Sequence, residues 1–259
     1  MLLVDRGLFP SRERSRAAIM AGAVSVGGEK VDKPGRSVDS ESLIEVKENL
    51  PYVSRGGLKL ARALQVFNLD LAGRVVLDIG ASTGGFTDCA LQNGASLVYA
   101  VDVGYGQLAW QLRNDPRVVA LERTNIRHLD PARLDPVPDF ATIDVSFISL
   151  SLVLPRLDIL TAAGAEGVAL IKPQFEAGRH RVGKNGVVKD PAVHEDVINQ
   201  VLVFIDSLGW GAPGLNYSPV RGPRGNIEYL VHFTKTPSGA KLPDGAVRET
   251  VGQAHRELA

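Results

Sequence analysis

A chain of 259 residues is long enough for one sizeable α/β domain with a small appendage, and 44% hydrophobic with 22% charged residues is an ordinary globular composition. Lysine plus arginine equal aspartate plus glutamate at 29 each, so total charge by itself speaks against a nucleic-acid partner. No apolar run approaches the ~18 residues of a membrane span, and the opening "MLLVDRGLFPSRERS", with Asp5 and no long apolar centre, is no secretory signal. The single cysteine, Cys89, excludes a disulfide framework, reads as a small buried hydrophobe and suits the cytoplasm.

Residues 1–48 form a small α+β module. "SRERSRAAIMAGAVSVGG" opens a helix with Ser11 as N-cap, Glu13 in the first turn and apolar Ala17, Ile19 and Met20 beyond, and Gly22 stops it. "AVSVGGEKVDKPG" alternates like a strand around a Gly-Gly turn, and "LIEVKENL" is a further strand. Residues 49–56 are a linker. From 57 to 235 strands and helices alternate, with strands expected at 75–80, 97–103, 118–124, 140–147, 168–173, 215–220 and 228–234. Helices are expected at 85–93, 107–114, 150–162 and 192–208. That alternation predicts a parallel sheet covered on both faces. The last two strands are joined by "RGPRGNI" without a helix, so they form an antiparallel hairpin. Seven strands with the last reversed describe the doubly wound α/β sheet of the class I methyltransferase type. The tail, 236–259, is a Pro/Gly-rich stretch followed by a short polar helix with no evident chemistry.

In "VVLDIGASTGGFTDCAL" a strand runs into a glycine turn and then a helix, the place where a doubly wound sheet holds its ligand. The dinucleotide pattern G-x-G-x-x-G lacks its middle glycine here, which demotes NAD and an oxidoreductase. Asp102 ends the second strand in "VYAVDVGYG", where it is placed to hold a ribose diol through charge-assisted hydrogen bonds. An acid-x-Gly turn with that second acid is the S-adenosylmethionine arrangement. Asp78, Gly80, Ser82, Gly84, Gly85, Phe86 and Asp102 are therefore candidates for cofactor binding. Asn125 and Ile126, after the third strand in "ERTNIRHL", are candidates for the adenine edge and face.

Four ionisable residues from distant segments arrive at the same sheet edge. Asp144 lies at the end of the fourth strand in "FATIDVSFISL", and Lys172 ends the fifth in "VALIKPQF" after four apolar residues. Glu228 begins the reversed seventh strand. Lys59 sits at the start of the helix "GLKLARALQVF", which precedes the first strand and runs antiparallel to it. Taken singly each has an ordinary structural explanation; their convergence argues for catalysis.

The set Lys59, Asp144, Lys172 and Glu228 resembles the K-D-K-E tetrad of FtsJ-type ribose 2′-O-methyltransferases. "VSRGGLKL", "LDIGASTGGFTD", "DVSFISL" and "LIKPQFE" resemble the TlyA family, also called hemolysin A, over nearly the whole chain. The resemblance implies an N-terminal RNA-binding module of the kind found in a small-subunit ribosomal protein, and a methyltransferase domain. It further implies transfer of a methyl group from S-adenosylmethionine to cytidine riboses of ribosomal RNA, in ribosomal subunits, without a metal. Members usually carry a few more residues before the equivalent of "LLV", so either the first helix is short here or the true start lies upstream. The ribose hydroxyl needs alignment and an outlet for its proton. By resemblance Lys172 is central, either as the base or as a cationic donor that steers an oxygen lone pair; both roles stay open.

Basic residues cluster locally despite the zero net charge. Arg12, Arg14 and Arg16 in "SRERSR", Arg55 in "SRGGLKLAR", and Arg179, Arg181, Lys184 and Lys189 in "RHRVGKNGVVK" are candidates for RNA contact. The glycine-containing loop 176–190 reads as a mobile lid over RNA phosphates. The five histidines show no metal-ligand spacing. Two rival readings are a non-catalytic RNA-binding or ribosome-assembly factor that retained the fold, and a pore-forming hemolysin. The first has no need of both a tetrad and a glycine turn; the second lacks a membrane-crossing segment.

Overall fold

The computed structural model describes residues 2–9, 11–20, 22–46, 51–236 and 242–258. Positions 49 and 50 of the expected linker and 237–241 of the tail lie outside them.

The N-terminal module begins with the single-turn helix α1 (Leu2–Asp5) and α2 (Arg12–Met20). Ser11 caps α2 by accepting a hydrogen bond from the Arg14 backbone N–H at 3.2 Å. Gly22, at φ +70°, closes the helix in the left-handed region. Strands β1 (Val24–Val26), β2 (Glu29–Val31) and β3 (Ile44–Val46) pair antiparallel in the order β2-β1-β3. Gly27 and Gly28 both have positive φ, as the two-residue turn of a β-hairpin requires. Leu3, Phe9 and Val24 form a small core to which Ile19 adds, whereas Met20 is exposed.

The larger domain starts with helix α3 (Gly56–Phe67), followed by β4 (Val75–Ile79), α4 (Gly85–Gln92), β5 (Leu97–Val101), α5 (Trp110–Arg113) and β6 (Val118–Leu121). Then come β7 (Phe140–Ile143), α6 (Leu157–Leu160), β8 (Glu166–Ile171), α7 (Pro173–Glu176), α8 (Pro191–Ser207), β9 (Gly211–Tyr217), β10 (Tyr229–Thr234) and α9 (Ala246–Leu258). The seven strands are ordered β6-β5-β4-β7-β8-β10-β9, and β10 runs antiparallel to both neighbours while the β4–β8 set is parallel. Each central strand is buried on both faces: Leu77 and Ile79 of β4 join one core with β8, α6 and α8, while Val76 joins the other with α3 and α4.

Several boundaries differ from expectation. These strands stop one to four residues early, because the chain leaves the sheet at Gly80, Asp102, Asp144 and Lys172 to build loops at one edge. The single helix expected at 150–162 is two 3-10 turns, Leu150–Leu152 and Leu154–Arg156, followed by α6; Pro155 has no N–H to continue a helix through them. Of 107–114 only α5 is helical, and β9 begins four residues before position 215. The tail helix α9 is docked, burying Val251 and Ala254. Among the described residues no helix is long and apolar enough to cross a membrane.

Candidate active site

Topology brings the two acids and two lysines together. Tyr229 lies opposite Ile171 in the antiparallel β8–β10 pair, so Glu228 and Lys172 continue that register just beyond the sheet. Asp144 follows β7, fixed where its N–H donates to the Ile79 carbonyl at 2.9 Å. Lys59 projects from the first turns of α3. Lys59 Nζ lies 2.5 Å from Glu228 Oε2 and 3.5 Å from Asp144 Oδ2, and Lys172 Nζ lies 2.5 Å from Asp144 Oδ1. Charges thus alternate along Glu228, Lys59, Asp144 and Lys172. Glu228 is 1% exposed, and Lys172, itself buried, lies beside exposed Ser146.

Electrostatics follow from that alternation. Burial works against the Lys59 charge, but Asp144 and Glu228 outweigh it and hold its ammonium above the ordinary lysine range. Burial also works against the Asp144 charge, yet Lys59 and Lys172 keep its carboxyl below the usual range. Asp144 Oδ1 is a buried oxygen with no hydrogen bond of good direction, so its short contact with Lys172 is an ion pair off the hydrogen-bond axis.

The glycine turn lies next to this set. A Cβ on Gly80, whose φ is +87°, would sit 2.6 Å from the Asp144 carbonyl oxygen, so only glycine lets the turn and the tetrad loop touch. Asp102 accepts the Ser82 N–H at 2.8 Å on Oδ2 and the Gly104 N–H at 2.6 Å on Oδ1. Each carboxylate oxygen keeps a free lone-pair position, the pattern that a vicinal diol requires. Ser82 and Gly84 hold positive φ, and Gln107 accepts from the Ser82 hydroxyl at 3.3 Å. This cradle fits S-adenosylmethionine. Asp78, Phe86 and Ile126 stand elsewhere than on its surface. Asp78 is 1% exposed behind the turn, accepting from Thr87 Oγ1 at 2.6 Å and Thr142 Oγ1 at 2.9 Å. Phe86 and Ile126 are core side chains, and Asn125 Oδ1 caps the 3-10 turn after it through the Arg127 N–H.

Residues 52–235 match the family described as FtsJ-like methyltransferase. The chain belongs to that family. Residues 1–44 match the S4 domain. A Bacillus subtilis relative, YqxC, named as a proposed rRNA methyltransferase, is 51% identical over all of this chain and 94% of its own length. The Mycobacterium tuberculosis protein named 16S/23S rRNA (cytidine-2′-O)-methyltransferase TlyA is 45% identical over 98% of this chain and 96% of its own. A solved structure from Streptococcus thermophilus, described as a proposed hemolysin, superposes with TM-score 0.81 at 49% identity, covering 99% of this chain and 94% of that one.

Within this FtsJ-like chain the basic candidates are placed unequally. Arg12, Arg16, Arg179, Lys184 and Lys189 are exposed. Arg14 donates to Gln111 Oε1 at 3.0 Å, and Glu13 accepts the Trp110 N–H, so part of α2 faces α5. Arg55 donates to the Arg221 carbonyl at 2.5 Å in the β9–β10 loop. Arg181 is tied to the Ala177 carbonyl and to Asp196.

The end of the basic loop is held as well: the Val188 N–H donates to Asn226 Oδ1 and the Val188 carbonyl accepts from His194. Since a carbonyl only accepts, His194 carries its proton on Nε2, and its Nδ1 accepts from Tyr229 Oη at 2.7 Å. His255 of α9 lies 3.1 Å from that Nδ1. Ser146, Phe147, Glu176 and Gly222 escaped the sequence reading. Ser146 accepts from Lys172; Phe147, 86% exposed at φ +65°, packs on Phe175; Glu176 accepts from Ser149 and the Leu150 N–H. A Cβ on Gly222 would meet Glu228 Oε1 at 2.4 Å. Ser146, Phe147 and Glu176 lie inside the motifs "DVSFISL" and "LIKPQFE", the one signal that could have found them.

Proposed function

We propose that the protein transfers the methyl group of S-adenosylmethionine to the ribose 2′-hydroxyl of a cytidine in ribosomal RNA, acting on a ribosomal subunit. The observation that carries this reading is the ion-paired chain of Lys59, Asp144, Lys172 and Glu228 beside the glycine turn. The relative named for cytidine-2′-O-methylation of rRNA supports the same substrate. When bound, S-adenosylmethionine supplies a sulfonium methyl already activated toward a nucleophile. Asp102 takes the cofactor's ribose diol on its free lone-pair positions. Lys172, next to the exposed Ser146, meets the 2′-oxygen, either as the base that takes its proton or as a cationic donor that steers a lone pair toward the methyl. Lys59, itself held by Glu228, and Lys172 keep Asp144 charged and fixed. Such alignment is the main demand of a displacement on an activated methyl. The exposed ring of Phe147 offers the base a stacking surface. Arg12 and Arg16, with Arg179, Lys184 and Lys189, engage phosphates.

The test is transfer of labelled methyl to unmodified ribosomal subunits by wild type and Lys172→Ala, with the product nucleoside identified by mass spectrometry. A 2′-O-methylcytidine made by wild type alone is the expected result. A cofactor-binding protein that transfers nothing to either subunit or to free rRNA overturns the reading in favour of an assembly factor.

A further inference from the structure

We propose that Ser146 is a positioning residue for Lys172, setting the direction in which the lysine presents itself to the reacting oxygen; this rests on the methyl-transfer reading above. A lysine Nζ has three donor directions and, on a flexible stem, no preference among rotations about its last bond. The 2.5 Å contact with Asp144 Oδ1 attracts Lys172 without lying on a hydrogen-bond axis. The Ser146 hydroxyl, 3.2 Å away, accepts the hydrogen bond that Lys172 Nζ does make with acceptable geometry. Charge from Asp144 therefore holds the ammonium in place, and Ser146 orients it.

The backbone that carries this hydroxyl is held on both sides. Two residues before Ser146 the backbone is pinned where the Asp144 N–H meets the Ile79 carbonyl. One residue after it, Phe147 turns the chain at φ +65°, a conformation rare for an aromatic residue. Beyond that, Glu176 accepts from the Ser149 hydroxyl at 2.6 Å and the Leu150 N–H at 2.8 Å, tying the loop to the helix that follows Lys172. Loop and lysine are thus two ends of one bonded ring. Ser146 is exposed, so it contributes nothing to the core; its contact with Lys172 is its structural partner in the site.

The test pairs Ser146→Ala with Ser146→Thr, which restores the hydroxyl. Steady-state methyl transfer to ribosomal subunits should show kcat lowered about 10- to 100-fold in the alanine variant, a range usual for a lost orienting contact. KM for the subunit and Kd for S-adenosylmethionine should be unchanged, and the threonine variant should recover most of kcat. Lysine 15Nζ NMR of the cofactor-bound protein gives a readout independent of turnover: the Lys172 signal should move in Ser146→Ala while that of Lys59 stays. A Lys172 signal that does not move, or a loss confined to subunit KM, overturns the assignment. A moved signal in a protein whose wild type transfers no methyl leaves Ser146 orienting Lys172 and refutes the methyl-transfer reading instead.

Discussion

Two buried groups set opposing pH dependences of stability, and removing one should unmask the other. Burial pushes the Asp78 carboxyl up to about 6, against the lowering effect of the Thr87 and Thr142 hydroxyls that bond it. Between its unfolded value of ~3.9 and about 6 the native state binds the extra proton. Stability is therefore present at low pH and lost as pH rises through about 6. Two units correspond to about 3 kcal/mol. Burial pushes His194 the other way, down to about 4. Its stabilisation is present above the unfolded value of ~6.5 and is lost as pH falls toward about 4. That too is about 3 kcal/mol. In wild type the two nearly cancel. In Asp78→Asn, where an amide still bonds both threonines, stability should fall by about 3 kcal/mol between pH 6.5 and 4. In His194→Gln it should rise by a similar amount over the same window. Urea unfolding at closely spaced pH values measures both as differences from wild type, in which other titrating groups drop out. An Asp78→Asn curve parallel to that of wild type refutes the buried-acid assignment. The same variant should bind S-adenosylmethionine within a few-fold of wild type, because Asp78 lies behind the turn; a hundred-fold loss would place it in the cofactor site.

Asp102→Ala should weaken S-adenosylmethionine about 100-fold or more by calorimetry, since two charge-assisted hydrogen bonds at about 1.5–3 kcal/mol each are at stake; a loss under threefold removes Asp102 from the site. Gly80→Ala should destabilise by at least about 2 kcal/mol, because a side chain at φ +87° would also press on the Asp144 carbonyl. Thermal unfolding reads that as a fall of roughly 4–8 °C, and an unchanged midpoint contradicts the close approach. Arg12→Glu with Arg16→Glu should weaken binding to rRNA and lower the slope of log K against log salt by at least about 1.5 for two lost phosphate contacts; an unchanged slope takes α2 out of the RNA interface.

The sheet and the tetrad were readable because they depend on patterns that tertiary packing does not override. Strands buried on both faces, such as Val168–Ile171, appear as continuous apolar runs, and in a doubly wound sheet everything that follows a parallel strand or begins an antiparallel one meets at one edge. That placed Lys59, Asp144, Lys172 and Glu228 together without any knowledge of side-chain direction. Direction was where the reading erred, and in one case it was available. β-Strand alternation puts Asp78 on the same face as Val76, toward α4 and Thr87, and so away from the turn's outer surface. Pro155 likewise marked the break in the helix expected at 150–162. Other features leave no such trace. A serine in a loop carries no periodic signal, and Ser146 reaches Lys172 because Phe147 takes a left-handed turn and Glu176, thirty residues on from Ser146, closes the loop. The tail helix looked inert for a similar reason: its histidine acquires meaning only through His194, which spans the end of the basic loop and the residue next to Glu228. What one sequence conceals here is the set of contacts that orient the side chains of the candidate site, since those join loops and helix faces whose mutual placement follows from the packed fold rather than from local pattern.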